Sequence, residues 1–359
     1  MALKATEPIA LAHLHCQSRV IRSAVHSFLG TPDGHISENE LAMYGRLAKN
    51  NLGIIITGHA CVMPGGRANP EQTGIYADEF IDDFARAAHV VKNGGAKFIV
   101  QLNHAGPRAI DTDDLADVSA RELKKDRHAR ELTLAEIKAI EQAFIAAAVR
   151  LKKAGVDGVQ LHAAHSYLLS RFIDPTFNLR TDEYGGNAAN RFRMTENILV
   201  GIKAACGDDF PVLIKINSDT AADNDRYEED MIYILRRAAE LGAELVELSG
   251  VDFINQPRTA TLYYLDRAIR LKKAVGNMPL SLVGGVRSAS DMEKVLNSGI
   301  DMVSVGRPLI AEDDFVQKTL AGGEKSICVS CNRCFVIPNK HPNIRCVWQK
   351  KKARAAAQA

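Results

Sequence analysis

The sequence has no run of the roughly 18 apolar residues needed to cross a bilayer as a helix. It also has no excess of either charge: 45 basic residues stand against 43 acidic ones, a formal net charge of +2. The first absence argues against a helical membrane protein. The second removes any electrostatic reason to expect nucleic acid or an anionic membrane as a partner. At the N-terminus, Glu7 and Pro8 interrupt the apolar residues and no cleavage site follows, so no signal peptide is expected and the expected compartment is the cytoplasm. No G-x-G-x-x-G occurs, which argues against a doubly wound dinucleotide-binding sheet. Neither a linker nor a repeat breaks the chain before Lys350–Ala359, which reads as a frayed tail. The seven cysteines are an odd number without a secretion signal, and so do not suggest a disulfide framework.

What is present is ordinary for a folded chain: 359 residues, 25% charged and 46% hydrophobic. That length suits two or three domains, or one α/β barrel of roughly 250 residues with insertions. Short apolar runs recur at Val20–Ile21, 53–57, 97–102, 157–162, 212–216, 245–248, 280–283 and 302–305. Fully buried parallel strands read this way, because helices cover one face and the barrel interior the other. Amphipathic stretches lie between them at 136–153, 187–205, 226–241, 289–297 and 312–320. The first is preceded by Thr133, with Glu136 placed to close a capping box. Gly155, Gly207, Gly242 and Gly299 each follow a helical pattern, where a left-handed C-cap is wanted. Eight such alternations predict an α/β fold, a (β/α)8 TIM barrel.

A barrel places its chemistry at the C-terminal ends of its strands. The residues there are Ser23, Ala24, Val25 and His26; Gly58 and His59; Gln101, Asn103 and His104; His162, His165 and Tyr167; Lys215 and Asn217; Gly284 and Gly285; and Gly306 and Arg307. The last two pairs read as a phosphate site, with bare backbone and one guanidinium able to fork onto phosphate oxygens. The plainer alternative is a pair of tight turns. The spacing His162-x-x-His165-x-Tyr167 suits two imidazoles gripping a substrate oxygen beside a phenol that delivers a proton. No third ligand lies nearby for a zinc site. Gln101 and Lys215 are polar groups on buried strands and need partners, either within the protein or on a polar cofactor.

These residues resemble the old yellow enzyme family of FMN-dependent oxidoreductases. The stretch from His162 to Gly186 (HAAHSYLLSRFIDPTFNLRTDEYGG) is similar to that family's strand-four signature. So are RVIRSA (19–24), GIIITG (53–58), VQLNHAG (100–106), LVGGV (282–286) and SVGRPLIAEDDF (304–315), in order over about nine-tenths of the chain. The resemblance implies FMN as cofactor and NAD(P)H as reductant. Ser23, Ala24, Val25 and Gly58 would lie against the flavin, Gln101 would meet its pyrimidine edge, and Lys215 would face N1 and the C2 carbonyl. Gly284, Gly285, Gly306 and Arg307 would hold the phosphate; His162 and His165, with His26 nearby, would bind the substrate; Tyr167 would donate the proton. The implied reaction passes hydride from NADH or NADPH to flavin N5, and from there to the β-carbon of an activated alkene. The sequence departs from the pattern at His26, at His59, and at Ser166, where the family commonly has glycine.

Cys328, Cys331, Cys334 and Cys346 crowd the last part of the chain. Their spacing is compatible with tetrahedral zinc or a [4Fe–4S] cluster, or with four free thiols packed in a loop. The segment resembles the cluster-bearing region of the dienoyl-CoA reductases and trimethylamine dehydrogenases. A cluster here would imply an external electron-transfer partner or a structural role. The expected organisation is an FMN barrel over residues 1–322 and a cysteine-rich extension over 323–359. Amine oxidation of the trimethylamine dehydrogenase kind and a non-catalytic redox sensor are the competing functions, and a homo-oligomer is compatible with the sequence. Cys16, Cys61 and Cys206 are expected to be packing residues.

Overall fold

The computed structural model describes residues 3–124, 126–221, 224–323, 325–335 and 344–349. The tail at 350–359 and much of the 323–359 extension lie outside them. Eight parallel strands close into a barrel: β1 (Val20–Arg22), β2 (Ile54–Ile56), β3 (Lys97–Asn103), β4 (Gly158–Ala163), β5 (Val212–Asn217), β6 (Leu245–Ser249), β7 (Leu280–Val283) and β8 (Met302–Val305). Closure comes from β4 pairing with both β3 and β5, and from β8 pairing with β1. All eight expected strands are present, within one or two residues at their ends.

The helices are α1 (Glu38–Leu47), α2 (Ile81–Lys92), α3 (Leu134–Lys153), α4 (Leu168–Ile173), α5 (Ala188–Cys206), α6 (Asn224–Glu240), α7 (Leu265–Val275), α8 (Ala289–Asn297), α9 (Arg307–Ala311) and α10 (Phe315–Leu320). In α3, Thr133 and Glu136 form the expected capping box, and the stripe Ile137, Ile140, Phe144 and Leu151 is buried against the sheet. Gly155, Gly207, Gly242 and Gly299 all have positive φ, as a left-handed C-cap requires. The expected helix at 312–320 begins only at Phe315, because Glu312 is extended and its carboxylate accepts hydrogen bonds from Ser326 and the Ile327 N–H. Helices α1, α2 and α7 were not among the expected elements.

Inside the barrel the side chains form layers, because residues of one parity on each strand point inward. The lower part of the interior is apolar: Ile21, Ile54, Ile56, Ile99, Leu213, Leu245 and Met302 pack as a cluster separate from the larger core between strands and helices. It is plugged by Leu14 and Cys16 of an N-terminal hairpin that pairs Ile9–Ala10 with His15–Cys16. Two residues higher on the same parity the interior turns polar, with Gln101, Gln160, Lys215, Glu247, Ser281 and Ser304 all buried. Buried Cys16 and Cys61 have thiols pushed up to about 12 by desolvation, and Cys206 is raised for the same reason, consistent with packing roles. No helix among the described residues is long and apolar enough to cross a membrane.

Candidate active site at the barrel mouth

The polar layer is one connected chain of hydrogen bonds. Gln101 Nε2 donates to Gln160 Oε1 at 2.7 Å, and Gln160 Nε2 donates to Glu247 Oε2 at 3.1 Å. Glu247 pairs with Lys215 Nζ at 3.2 Å, and Lys215 donates to Ser23 Oγ at 2.7 Å. Burial forces this arrangement, since an ammonium or amide left unpaired there would cost several kcal/mol. Valence remains: Lys215 has a third N–H and Gln101 a free carbonyl oxygen.

Above this floor opens a cavity of about 370 Å3, lined on one side by Gln101, Lys215, His162 and His165 and on another by Gly284–Gly285 and Gly306–Arg307. That size suits a small-molecule ligand. Gly284 and Gly285 have φ of +135° and +77°, and a Cβ on Gly285 would stand 2.4 Å from the Leu262 nitrogen. Only glycine lets the backbone take this turn. Arg307 is aimed by Asn332 Oδ1 at 2.5 Å and the Tyr263 hydroxyl at 3.1 Å.

His162, one residue before the end of β4, has its Nδ1 buried and met by no protein group. His165 and Ser166 follow with φ of +61° and +58°. Two consecutive left-handed non-glycine residues cost about 1–2 kcal/mol each. The turn accounts for the glycine that the resemblance places at Ser166. It aims His165 so that Nε2 lies 2.9 Å from Ser249 Oγ. The two rings meet edge to face at 5.3 Å, and Tyr167 lies 5.0 Å from His162. Burial first holds both imidazoles well below the usual histidine range, joined at His162 by the His165 and His59 rings ahead of the Lys215 and Arg108 charges, and at His165 by Lys215 and Arg108. They are neutral at pH 7. Burial raises the Tyr167 phenol while Arg108 lowers it, with the net shift upward, so it is protonated at the same pH.

His59 places Nε2 3.3 Å from the Tyr167 hydroxyl and stacks on His26 at 4.9 Å. Its pKa is lowered to about 4 by burial. A histidine kept neutral in the fold binds fewer protons than it does unfolded. Its contribution to stability is therefore intact above about pH 6.5 and lost as pH falls toward 4. Thermal unfolding followed by circular dichroism should show Tm falling through this window, and His59→Phe should flatten the fall.

Most expected site residues thus converge on one cavity: Ser23, Ala24, Val25, His26, Gln101, His162, His165, Tyr167, Lys215, Gly284, Gly285, Gly306 and Arg307 all line it. Gly58 does not. It lies behind the wall, where a Cβ would press on the backbone of Val25 and His26 at 3.2 Å. Much of the strand-four signature is scaffold rather than site. Asn178 donates to the carbonyls of Phe172 and Tyr184, Arg180 to those of Val118 and Leu132, and Arg171 pairs with buried Asp117. Gln160, Glu247 and Ser249 were missed, although their inward parity on buried strands was a usable signal. Arg108, Phe253 and Ser330 line the cavity from loops and carried no such signal.

The metal expectation for Cys328, Cys331, Cys334 and Cys346 finds no support in the structure. Among the described residues, no group of three or more His, Cys, Asp or Glu side chains is arranged to hold a metal. Contacts with the barrel set the path of this segment. Asn332 bridges Arg307 and the Ile254 carbonyl, Tyr263 donates to Ser330 Oγ, and Ile344 N–H donates to the Ser27 carbonyl. Ser330 and Asn332 both have left-handed φ. Cys328 lines the cavity, and burial pushes the Cys334 thiol up to about 12. The segment closes one side of the mouth.

Comparison with known proteins fits this geometry. A sequence model of the NADH:flavin oxidoreductase / NADH oxidase family matches residues 5–325. The NADH oxidase of Thermoanaerobacter brockii is 30% identical over 336 residues, covering 90% of this chain but only 52% of its own length. The NADPH dehydrogenase of Bacillus subtilis strain 168 is 29% identical over 324 residues, covering 89% of this chain and 95% of its own. The structure of an old yellow enzyme homologue from Zymomonas mobilis superposes with a TM-score of 0.78 at 22% identity, over 90% of this chain and 94% of that one.

Proposed function

The chain belongs to the NADH:flavin oxidoreductase / NADH oxidase family, and on that premise we propose that it is an FMN-dependent NAD(P)H oxidoreductase reducing activated C=C bonds, of the enone or enoate type. The observation that carries the reading is the set of two neutral imidazoles and a protonated phenol at the end of β4, facing a polar floor with valence to spare.

The residues fit FMN. Gln101 and Lys215 offer a carbonyl oxygen and an N–H toward a polar ring edge, and the bare turn at Gly284–Gly285 with Gly306 and Arg307 suits a phosphate. When bound, the flavin supplies hydride chemistry that no amino-acid side chain provides. Were Ser249 the donor to Nε2, neutral His165 would carry its proton on Nδ1; His162 has an Nδ1 that no protein group occupies. Both rings would then be free to stabilise the oxygen of a substrate as negative charge develops on it. Aimed, desolvated donors of this kind are usually the largest single contribution to catalysis. Tyr167 gives the proton from its hydroxyl, and His59 Nε2 is placed to hold the phenolate oxygen left behind.

Protein purified under anaerobic conditions should be yellow and release FMN on denaturation. Its flavin absorbance should bleach with NADPH or NADH and return on addition of cyclohex-2-enone. A bleached protein that no enone, enoate or nitroalkene can recolour would exclude the alkene assignment. In Tyr167→Phe the bleaching should proceed at the wild-type rate while turnover with the enone falls by about 10²-fold or more. Equal loss in both steps would remove Tyr167 from its proton-donor role.

A further inference from the structure

The cavity is one-sided in charge. Among its described lining residues there are four cationic side chains, Arg108, Lys215, Arg287 and Arg307, and no aspartate or glutamate. Three of the four are committed. Lys215 is paired with Glu247 and Ser23. Arg307 is held by Asn332 and Tyr263 beside the glycine turn. Arg287 donates to the carbonyls of Arg258, Thr259 and Ala260. Arg108 differs. It makes one hydrogen bond, from Nη1 to the His165 carbonyl at 3.1 Å, and has no carboxylate partner among the described residues. Four of its five N–H donors are unused.

Its place is informative. Arg108 sits in the turn after β3, exposed at the rim, with its guanidinium carbon 5.5 Å from the centroid of the Tyr167 ring. It is thus anchored to the backbone of one of the two imidazole residues and lies over the phenol. Phe253 packs on His165 at 5.1 Å and adds an apolar surface beside it. A substrate whose activating oxygen is held by His162 and His165 would extend past Tyr167 toward this cation.

We propose that Arg108 is a specificity residue that selects substrates carrying an anionic group, a carboxylate, separate from the carbonyl that activates the alkene. This rests on the alkene-reductase reading and names its substrate class. A free guanidinium is screened by water at the rim while the cavity is empty. A bound substrate displaces that water, and the fork can then meet a carboxylate through two parallel N–H donors. Lysine would supply the charge without the fork.

The test compares 6-oxohept-4-enoate, an enone whose carboxylate is insulated from the alkene by two methylenes, with its methyl ester. The FMN-loaded wild-type protein should prefer the acid in kcat/KM, and Arg108→Gln should lower that acid-to-ester ratio by about tenfold or more. Arg108→Lys should fall between. Binding is read independently of turnover by calorimetry with the saturated 6-oxoheptanoate and its methyl ester, and the Kd ratio should move by a similar factor. An unchanged ratio in both assays would overturn the proposal, as would an effect confined to the KM for NADPH, which would assign Arg108 to the phosphates of the reductant. If neither alkene is reduced the alkene reading fails, while the calorimetric ratio still decides whether Arg108 reads a carboxylate. Matching FMN content and Tm across the variants ensures that the comparison is between folded proteins.

Discussion

The doubly substituted His162→Ala/His165→Ala protein is expected to reduce activated alkenes on the order of 10²–10³ more slowly than wild type, while retaining FMN and its bleaching by NAD(P)H. The two rings line the cavity, and neither takes part in the Gln101–Gln160–Glu247–Lys215 chain beneath it. Losing both removes the donors that would meet developing negative charge on the substrate oxygen. The loss should fall mainly on kcat, because neutral donors of this kind bind a transition-state oxyanion better than a ground-state carbonyl. Each single variant should account for much of the defect, since two donors on one atom act as a unit. Steady-state kinetics with an enone, alongside the bleaching rate in the absence of alkene, separates the outcomes. Equal slowing of both steps would mean that the pair holds the cofactor instead.

The second large effect concerns the floor. Lys215→Met would strand the Glu247 carboxylate, fully buried and left with Gln160 Nε2 as its remaining hydrogen-bond donor. Breaking a buried pair by removing one partner costs about 3–5 kcal/mol. Denaturant unfolding of the FMN-free protein should show a drop of that order, and Lys215→Met/Glu247→Gln should recover most of it, because the stranded charge is gone. The same pair should set the electrostatics seen by a bound cofactor. Glu247→Gln leaves the Lys215 charge uncompensated, so negative charge added to the flavin on reduction is stabilised and its midpoint potential should rise. Lys215→Met should move it the other way. A Glu247→Gln potential that is unchanged or lower would separate Lys215 from the flavin.

The barrel itself was legible because a closed parallel sheet leaves no strand with a wet face. All eight strands therefore appear as apolar runs, and the glycines at 155, 207, 242 and 299 punctuate the helices between them. Helices α1, α2 and α7 were not among the expected elements, although α2 buries a regular stripe of Phe84, Ala87, Ala88 and Val91 that was present in the sequence. Within the site, the residues at strand ends were legible from position alone. Gln160 and Glu247 were recoverable from the same inward parity that marks Gln101 and Lys215.

Arg108, Phe253 and the segment around Ser330 and Asn332 come from loops separated by up to about 220 residues, and no local pattern links them. Likewise, no metal-binding group is found among the described residues at the four cysteines, and the segment that carries them is tied to the barrel where Ser330 accepts from Tyr263 and Asn332 from Arg307. The sequence by itself determined the strand count, through eight apolar runs, and the placing of His162, His165 and Tyr167 together at one strand end, since both are patterns local to a stretch of chain. Only the tertiary structure decided which cations are already paired, which donors remain free, and what the C-terminal segment covers. Those are properties of the space between elements, and burial assigns partners there without regard to distance along the chain.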